Sequence, residues 1–255
     1  MAYGSEACDL SDKSFVIPSL RGKLAGSCVI FAAGIPRQSA DDMDAFQANV
    51  NMVSNLAEAC ASERPARVIY LSSVEVYGNT DVELPITEST CFRPERLYAV
   101  SKITGELLWE YWRNATAGEL SIIRLPGVFG PGDEGKGFIG MLVKAIENGR
   151  SVSLSNLGRD LRDYVFVEDV ARAVADLITD NNDSRLVVNL ASGESRSIAE
   201  IAGMVCEELG YCRIVLDESG GSNNDLVFDT RQLQAALPGF AFTPLQDAVK
   251  QYPGV

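Results

Sequence analysis

The sequence predicts an α/β fold in which a doubly wound parallel sheet carries helices on both faces. Short apolar runs alternate with longer segments of helical periodicity, and this alternation is typical of such sheets. The apolar runs are continuous rather than alternating with polar residues, which indicates strands that are buried on both faces. These two observations favour parallel strands that are connected by helices.

The first half of the chain contains three predicted strands and two predicted helices. Apolar runs place the strands at residues 28–33 (CVIFAA), 67–72 (RVIYLS) and 120–125 (LSIIRL). Residues 44–62 carry apolar side chains at helical spacing, and residues 97–117 are predicted as the second helix. The order of these elements is that of a doubly wound sheet.

The pattern changes after about residue 135, where the predicted strands become shorter. We therefore expect one domain over residues 1–135 and a smaller α/β domain over residues 136–255. Residues of about 160–195 are expected to return in part to the first sheet.

Composition excludes several classes of function. The 255 residues contain 22 Lys and Arg against 35 Asp and Glu, so a net charge of −13 disfavours nucleic acid and anionic membranes as partners. The sequence has no histidine, which excludes Ser-His triads, His-ligated zinc and imidazole acid–base catalysis. No run of 18 apolar residues and no signal pattern occurs, so a cytosolic location is expected.

The cysteines are scattered and form no C-x-x-C pair. We expect reduced core thiols rather than metal ligands or disulfides. The six are Cys8, Cys28, Cys60, Cys91, Cys206 and Cys212.

The segment YAVSK places Tyr98 and Lys102 four residues apart on the second helix, so both lie on one face. A phenol has an unperturbed pKa of ~10, and a nearby ammonium favours the phenolate. A lowering of ~3 units corresponds to roughly 4 kcal/mol, which would let a tyrosine take a proton from an alcohol at neutral pH. The spacing alone is common on amphipathic helices.

A second motif, LSSVEVYG at residues 71–78, ends a predicted strand in two serines. A hydroxyl at the carboxyl end of a parallel strand stands at the edge where doubly wound sheets bind ligands. Ser73 precedes Tyr98 by 25 residues. The serine, the tyrosine and the lysine are therefore candidates for one site.

These motifs together resemble the extended short-chain dehydrogenase/reductase family, in particular the NAD-dependent epimerase/dehydratase group that acts on nucleotide sugars. Further segments resemble that family in the same order along the chain: ACDLSD (7–12), CVIFAAG (28–34), RLPGVFGPGD (124–133), LRDYVFVEDVARAV (161–174), VVNLASGESRSIAEIA (187–202) and DTRQLQAALPGFAFTPLQDAV (229–249).

The resemblance implies a Rossmann-like sheet, with residues 1–135 as a partial dinucleotide-binding domain and residues 136–255 mainly as a substrate-binding domain. The family's opening G-x-x-G-x-x-G turn has no counterpart in the first sixty residues, so an N-terminally truncated sheet is expected. Three explanations are open: a truncated product, a shortened member without the redox cofactor, or strands supplied by another chain.

The resemblance also assigns roles to individual residues. Ser73 would hydrogen-bond the reacting sugar hydroxyl, and Tyr98 would be its acid–base group. Lys102 would hold the nicotinamide ribose and lower the pKa of the tyrosine. Arg162 would bind the substrate diphosphate, with Val128 as a further substrate contact. The implied cofactor-binding residues are Asp9, Leu10, Ala32, Ala33, Tyr98, Lys102 and Pro126.

Glu75 bears on the type of reaction. Family members that eliminate water or carbon dioxide carry a glutamate at this position, where it can take a proton from carbon. Val74 here replaces the usual proton donor. The alternative is that Glu75 only faces solvent at the strand end.

Two further observations concern phosphate binding. Gly127 replaces an asparagine that contacts nucleotide phosphates in the family, and Phe129 replaces a tyrosine. For Arg162 the alternative to a phosphate contact is an ion pair with Asp160 or Asp163.

The sequence therefore predicts an epimerase, dehydratase or decarboxylase of nucleotide sugars that uses NAD or NADP, with binding weakened by the missing glycine-rich loop. The alternative is a family member that binds a nucleotide sugar or a protein partner without using NAD. Helices 44–62 and 97–117 match the pair that forms a four-helix bundle in family dimers, so a homodimer is expected.

Overall fold

A computed structural model describes residues 9–78, 83–133, 135–180, 184–219 and 224–252. The chain forms two compact units. The first takes residues 1–78, 91–124 and 182–188, and the second takes residues 79–90, 125–181 and 189–255. Residues 125–181 and 189–255 thus make up most of the second unit, and residues 182–188 return to the first unit.

The first unit contains a four-stranded sheet in the order β1-β2-β3-β8, as expected for a doubly wound fold. β1 runs parallel to β2. At the start of β3, the N–H of Glu119 donates a hydrogen bond to the carbonyl oxygen of Ala66, and the N–H of Leu120 donates one to that of Ser184. Because these partners precede β2 and β8, the strands all begin at one edge of the sheet. The strands are β1 (Cys28–Phe31), β2 (Arg67–Ser73), β3 (Glu119–Leu125) and β8 (Arg185–Asn189).

Helices pack on this sheet around an apolar core. The longest pair, α2 and α3, agrees with the predicted helices to within one residue at each end. Both helices end with a residue in the left-handed conformation, Arg64 after α2 and Ala117 after α3. The helical elements of this unit are α1 (Lys13–Leu20), α2 (Met43–Glu63), a 3₁₀ turn (Val74–Tyr77) and α3 (Leu97–Thr116).

β1 departs from the prediction of a buried strand over residues 28–33. It ends at Phe31, which is its one buried residue, and Ile30 is 48% exposed. The reason is its position at the edge of the described sheet, where it pairs with β2 alone. The continuous apolar run at residues 28–33 therefore predicted more burial than β1 has within the described part of the chain.

In the described residues of the second unit, pairs of short strands are combined with five helices. β4 (Gly127–Phe129) runs parallel to β7 (Tyr164–Phe166), and β5 (Ser151–Leu154) runs parallel to β10 (Arg213–Leu216). The short strands β6 (Leu161–Arg162) and β9 (Arg196–Ser197) are antiparallel. The helices are α4 (Phe138–Glu147), α5 (Val167–Asp180), α6 (Ile198–Leu209), α7 (Arg231–Ala236) and α8 (Leu245–Val249).

The five described cysteines are free thiols, and Cys8 lies outside the described residues. Cys60 and Cys212 are buried, as expected for core thiols. Cys28 and Cys91 are exposed, which corrects the expectation for these two. Among the residues that the structure describes, no helix combines the length and the apolar character needed to cross a membrane.

Candidate active site

Ser73 is the last residue of β2, at the carboxyl edge of the sheet. Its Oγ accepts a hydrogen bond of 3.2 Å from the N–H of Glu75, which caps the following 3₁₀ turn. The Ser73 hydroxyl also acts on Tyr98, because hydrogen bonding from it lowers the pKa of the phenol. Because successive residues of a strand point to opposite faces, Ser72 turns away and donates to Glu106 Oε1 at 2.6 Å.

Tyr98 and Lys102 lie in the first two turns of α3, on one face as expected. The N–H of Tyr98 donates to Asp41 Oδ1 at 2.9 Å, which fixes the start of the helix. Lys102 Nζ lies 5.6 Å from the centre of the Tyr98 ring and 5.3 Å from that of Tyr70. It donates a hydrogen bond of 2.9 Å to the carbonyl oxygen of Leu71. The ammonium is therefore held against β2 by two aromatic rings and one carbonyl.

The pKa of Tyr98 is raised to about 12, which is opposite to the lowering expected from the spacing. Burial of the phenol is the largest cause, followed by the negative charge of Glu75, while Ser73 and Arg37 act in the lowering direction. Lys102 Nζ donates to the carbonyl of Leu71 and is not among the groups that shift the pKa of Tyr98. In this structure Tyr98 is a neutral phenol at pH 7, able to donate a proton.

Burial also affects Lys102, which is 9% exposed. Desolvation lowers its pKa to about 8, and the carboxylate of Glu106, one turn further along α3, acts in the opposite direction. The side chain is therefore close to its protonation midpoint at mildly alkaline pH. The pKa of Tyr98 is thus raised and that of Lys102 is lowered. Perturbed pKa values are common at functional sites.

Glu75 lies in the 3₁₀ turn that follows β2, and its side chain is 21% exposed. Arg37, from the loop after β1, donates a hydrogen bond from Nε to Glu75 Oε1. Burial raises the pKa of Glu75, and Arg37 counteracts this shift. The negative charge of Glu75 also raises the pKa of Tyr98. Glu75 therefore lies near the phenol and does not only face solvent.

A buried ion pair behind the site was not identified in the sequence. Arg124 donates from Nε to Glu106 Oε1 at 3.0 Å and from Nη2 to Glu106 Oε2 at 2.7 Å. Its Nη1 donates to the hydroxyl of Tyr77 at 2.7 Å, and the guanidinium carbon lies 5.0 Å from the centre of the Phe92 ring. Two sequence features could have indicated the pair: Glu106 stands four residues after Lys102, and Arg124 interrupts an apolar strand.

Besides Tyr98 and Lys102, four of the residues proposed for the cofactor lie in two places in the first unit. Asp9 and Leu10 precede α1, where the amide of Asn55 donates to the carbonyl of Leu10 at 2.9 Å. Ala32 and Ala33 directly follow β1. A Cβ placed on the next residue, Gly34, would lie 3.8 Å from Lys102 Nζ, so the end of β1 comes close to the lysine.

Pro126, Val128 and Arg162 belong to the second unit. Arg162 Nη2 lies 3.7 Å from Asp160 Oδ2, and its Nη1 donates to the carbonyl oxygens of Leu161 and Asn224. Of the two carboxylates considered from the sequence, Asp160 is the partner. The contact with a phosphate stays a prediction.

Gly127 and Asp163 have structural explanations in the second unit. A Cβ at Gly127 would lie 2.4 Å from the Tyr164 ring, so an asparagine there requires that ring to move. Asp163 is buried, and its carboxylate accepts hydrogen bonds from the hydroxyl and N–H of Ser192 and from the N–H of Gly193. Asp163 therefore fixes the loop after β8.

A parallel Rossmann-type sheet with a serine, a tyrosine and a lysine at its carboxyl edge defines the class of short-chain dehydrogenase/reductase proteins. Within that class the chain belongs to the NAD dependent epimerase/dehydratase family, whose sequence model matches residues 4–191. This match covers well over half of the chain.

Several characterised proteins are similar in sequence. The chain is 35% identical over 153 residues to UDP-glucose 4-epimerase of Mycolicibacterium smegmatis. The matched residues cover 57% of this chain and 49% of that protein. The chain is 31% identical over 192 residues to dTDP-4-dehydro-6-deoxy-D-allose reductase of a Streptomyces species, with 71% and 57% covered. dTDP-glucose 4,6-dehydratase of Streptomyces griseus is 27% identical over 197 residues, with 76% and 59% covered. The chain thus spans about half to three fifths of these relatives.

Solved structures share the fold. MoeE5 in complex with UDP-glucuronic acid and NAD superposes with a TM-score of 0.80 at 27% identity, covering 93% of this chain and 80% of that protein. RMD of Pseudomonas aeruginosa, complexed with NADPH, gives a TM-score of 0.83 at 23% identity, with 96% and 85% covered. The second likeness supports the fold alone.

Proposed function

We propose that the chain is a nucleotide-sugar epimerase/dehydratase-type oxidoreductase that acts through Ser73, Tyr98 and Lys102 with a nicotinamide cofactor. The observation that carries this proposal is the Lys102 ammonium 5.6 Å from the centre of the Tyr98 ring, together with the lowering influence of Ser73 on the pKa of that phenol. Three residues that are 25 and 4 positions apart in sequence converge at the edge of the sheet where parallel folds bind ligands.

Each of the three side chains has a task that its surroundings support. Ser73 can hydrogen-bond a sugar hydroxyl, since its Oγ accepts from the N–H of Glu75 and its own proton remains to be donated. Tyr98 gives a proton to the sugar oxygen or takes one from it. Lys102 supplies positive charge over the Tyr98 ring. Because Lys102 is buried, water screens that charge less.

The end of β1 fits a nicotinamide cofactor. Ala32 and Ala33 have small side chains, and the backbone at Gly34 approaches Lys102 closely, so a ribose could reach the ammonium there. NAD, or NADP, would accept and return a hydride at the sugar carbon. Asp9 and Leu10 are the residues that we assign to the adenine side, and Pro126 is a further contact.

We further propose that the substrate is a nucleotide sugar. Relatives of this chain are named as enzymes of UDP- and dTDP-sugars, and MoeE5 is described in complex with UDP-glucuronic acid. Arg162 would bind the diphosphate and Val128 would contact the substrate beside it. Arg162 would have to exchange its contact with Asp160 for phosphate oxygens.

The function can be tested on the full chain with NAD⁺, NADH and a panel of UDP-, GDP- and dTDP-sugars. We expect calorimetry to show NAD(H) binding and proton NMR to show conversion of at least one sugar nucleotide. Y98F and K102M should both reduce conversion strongly. Binding of a sugar nucleotide in thermal-shift assays, with no binding of NAD(H), would contradict the proposal and favour a ligand-binding protein.

We also propose that the chain forms a homodimer through α2 and α3. Leu107 and Tyr111, four residues apart on α3, are 61% and 73% exposed, and Met43 at the start of α2 is 61% exposed. Large apolar side chains at helical spacing on a surface are typical of association sites. Sedimentation at micromolar concentration should give twice the 27.5 kDa of the chain.

A double variant, L107E/Y111E, should sediment as a monomer because two charges would have to be buried in the interface. Y211E is the matched control, since Tyr211 is 83% exposed in the second unit. An unsubstituted chain that sediments as a monomer would contradict the dimer.

A further inference from the structure

Arg37 contacts the candidate site but belongs to none of the motifs that identify the family. It lies on the loop between β1 and α2, and its Nε donates a hydrogen bond to Glu75 Oε1. Arg37 is 40% exposed and Glu75 is 21% exposed, so the arginine covers a carboxylate that is withdrawn from solvent. The ion pair joins the loop to the 3₁₀ turn after β2.

The loop that carries Arg37 is fixed on both sides. The side chain of Asn49, on α2, accepts from the N–H of Ile35 at 2.7 Å and donates to its carbonyl oxygen at 3.0 Å. At the other end, Asp41 accepts from the N–H of Tyr98 at 2.9 Å. Arg37 is therefore held between two anchored points, and its reach towards Glu75 is set by the fold.

The groups around Glu75 act on its charge in opposite directions. Burial raises the pKa of Glu75; Arg37 lowers it by charge and hydrogen bonding, Arg96 also lowers it, and Asp41 raises it. Tyr98 faces the same pair, since Glu75 raises its pKa and Arg37 lowers it. Loss of Arg37 would leave a half-buried carboxylate that takes up a proton at higher pH.

We propose that Arg37 is a positioning residue that holds Glu75 as an ionised carboxylate beside the Tyr98 side chain. Arg37 binds Oε1 of Glu75, and within the part of the chain that the structure describes no hydrogen bond to Oε2 is seen. The role in turnover rests on the proposed function. The charge of Glu75 can be measured without any reaction.

The test is a carboxyl ¹³C NMR titration of the full chain, with the Glu75 resonance identified by its loss in E75Q. R37Q should raise the Glu75 midpoint by about 1 to 2 pH units, because an opposite charge within ~4–6 Å shifts a pKa by that order. R37K should lie between R37Q and the unsubstituted chain. R21Q, at an exposed arginine after α1, should leave the midpoint unchanged. A midpoint in R37Q equal to that of the unsubstituted chain would overturn the proposal.

The pH profile of sugar-nucleotide conversion then tests the role in turnover. Between the two midpoints the R37Q chain carries a protonated Glu75 where the unsubstituted chain carries a carboxylate. The acid limb of the R37Q pH profile should therefore move to higher pH by the same amount as the Glu75 midpoint measured by NMR. An acid limb that stays in place would overturn a role in turnover. If the unsubstituted chain converts no sugar nucleotide, the proposed function fails while the NMR result still decides the charge of Glu75.

Discussion

Replacing Tyr98 with phenylalanine is expected to reduce kcat/KM for the converted sugar nucleotide by about 10²- to 10⁴-fold, the usual contribution of a general acid–base group. The ring stays in place, so its contact with Lys102 at 5.6 Å is retained and the cation loses no packing partner. The variant removes only the phenolic hydroxyl. Cofactor affinity measured by calorimetry should change little.

Y111F is the matched control for this variant. Tyr111 lies on the same helix and is 73% exposed. Its loss of a hydroxyl should leave kcat/KM within twofold of the unsubstituted value. Activity of Y98F equal to that of Y111F would show that the phenol does not transfer the proton.

The buried pair of Arg124 and Glu106 is expected to contribute most among the ion pairs to the stability of the first unit. Replacing Arg124 with methionine leaves the Glu106 carboxylate buried without its bidentate partner, which typically costs about 3–5 kcal/mol of unfolding free energy. It also removes the hydrogen bond to Tyr77. Urea unfolding followed by tryptophan fluorescence is the measurement, because both tryptophans, Trp109 and Trp112, lie in the core of this unit.

Two further variants separate the charge effect from simple loss of packing. E106L/R124M removes both charges, and its destabilisation should be clearly smaller than the sum of the two single changes. R185M breaks the pair of Arg185 with Glu110, where the arginine is 50% exposed, and should cost about 0–1 kcal/mol. Equal losses in R124M and R185M would contradict a special role for the buried pair.

The network of Arg124 and Glu106 also explains why the catalytic candidates hold their positions. Glu106 accepts from Ser72, the neighbour of Ser73, and lies one turn from Lys102. Tyr77 belongs to the turn that carries Glu75. The ion pair therefore connects β2, the 3₁₀ turn and α3 behind the site.

Much of the fold was predictable because local patterns and tertiary environment agree. Apolar spacing located α2 to within one residue at each end, since a helix that packs on a sheet repeats its buried face every three to four residues. The prediction for α3 was equally close. The parallel sheet and the family follow from ordered motifs. The prediction for β1 was less accurate, because a continuous apolar run does not show whether a strand is central or lies at an edge.

The sequence by itself determined the type of fold and the family, and it identified the serine, the tyrosine and the lysine as candidates, because these depend on residue types at fixed spacings. Tertiary structure alone decided the environment of these residues. Burial and Glu75 raise the pKa of Tyr98, and Arg37 and Arg124 reach the site from distant segments. Electrostatic interactions depend on distance in space and on exclusion of water, and a single sequence specifies neither until the chain is folded.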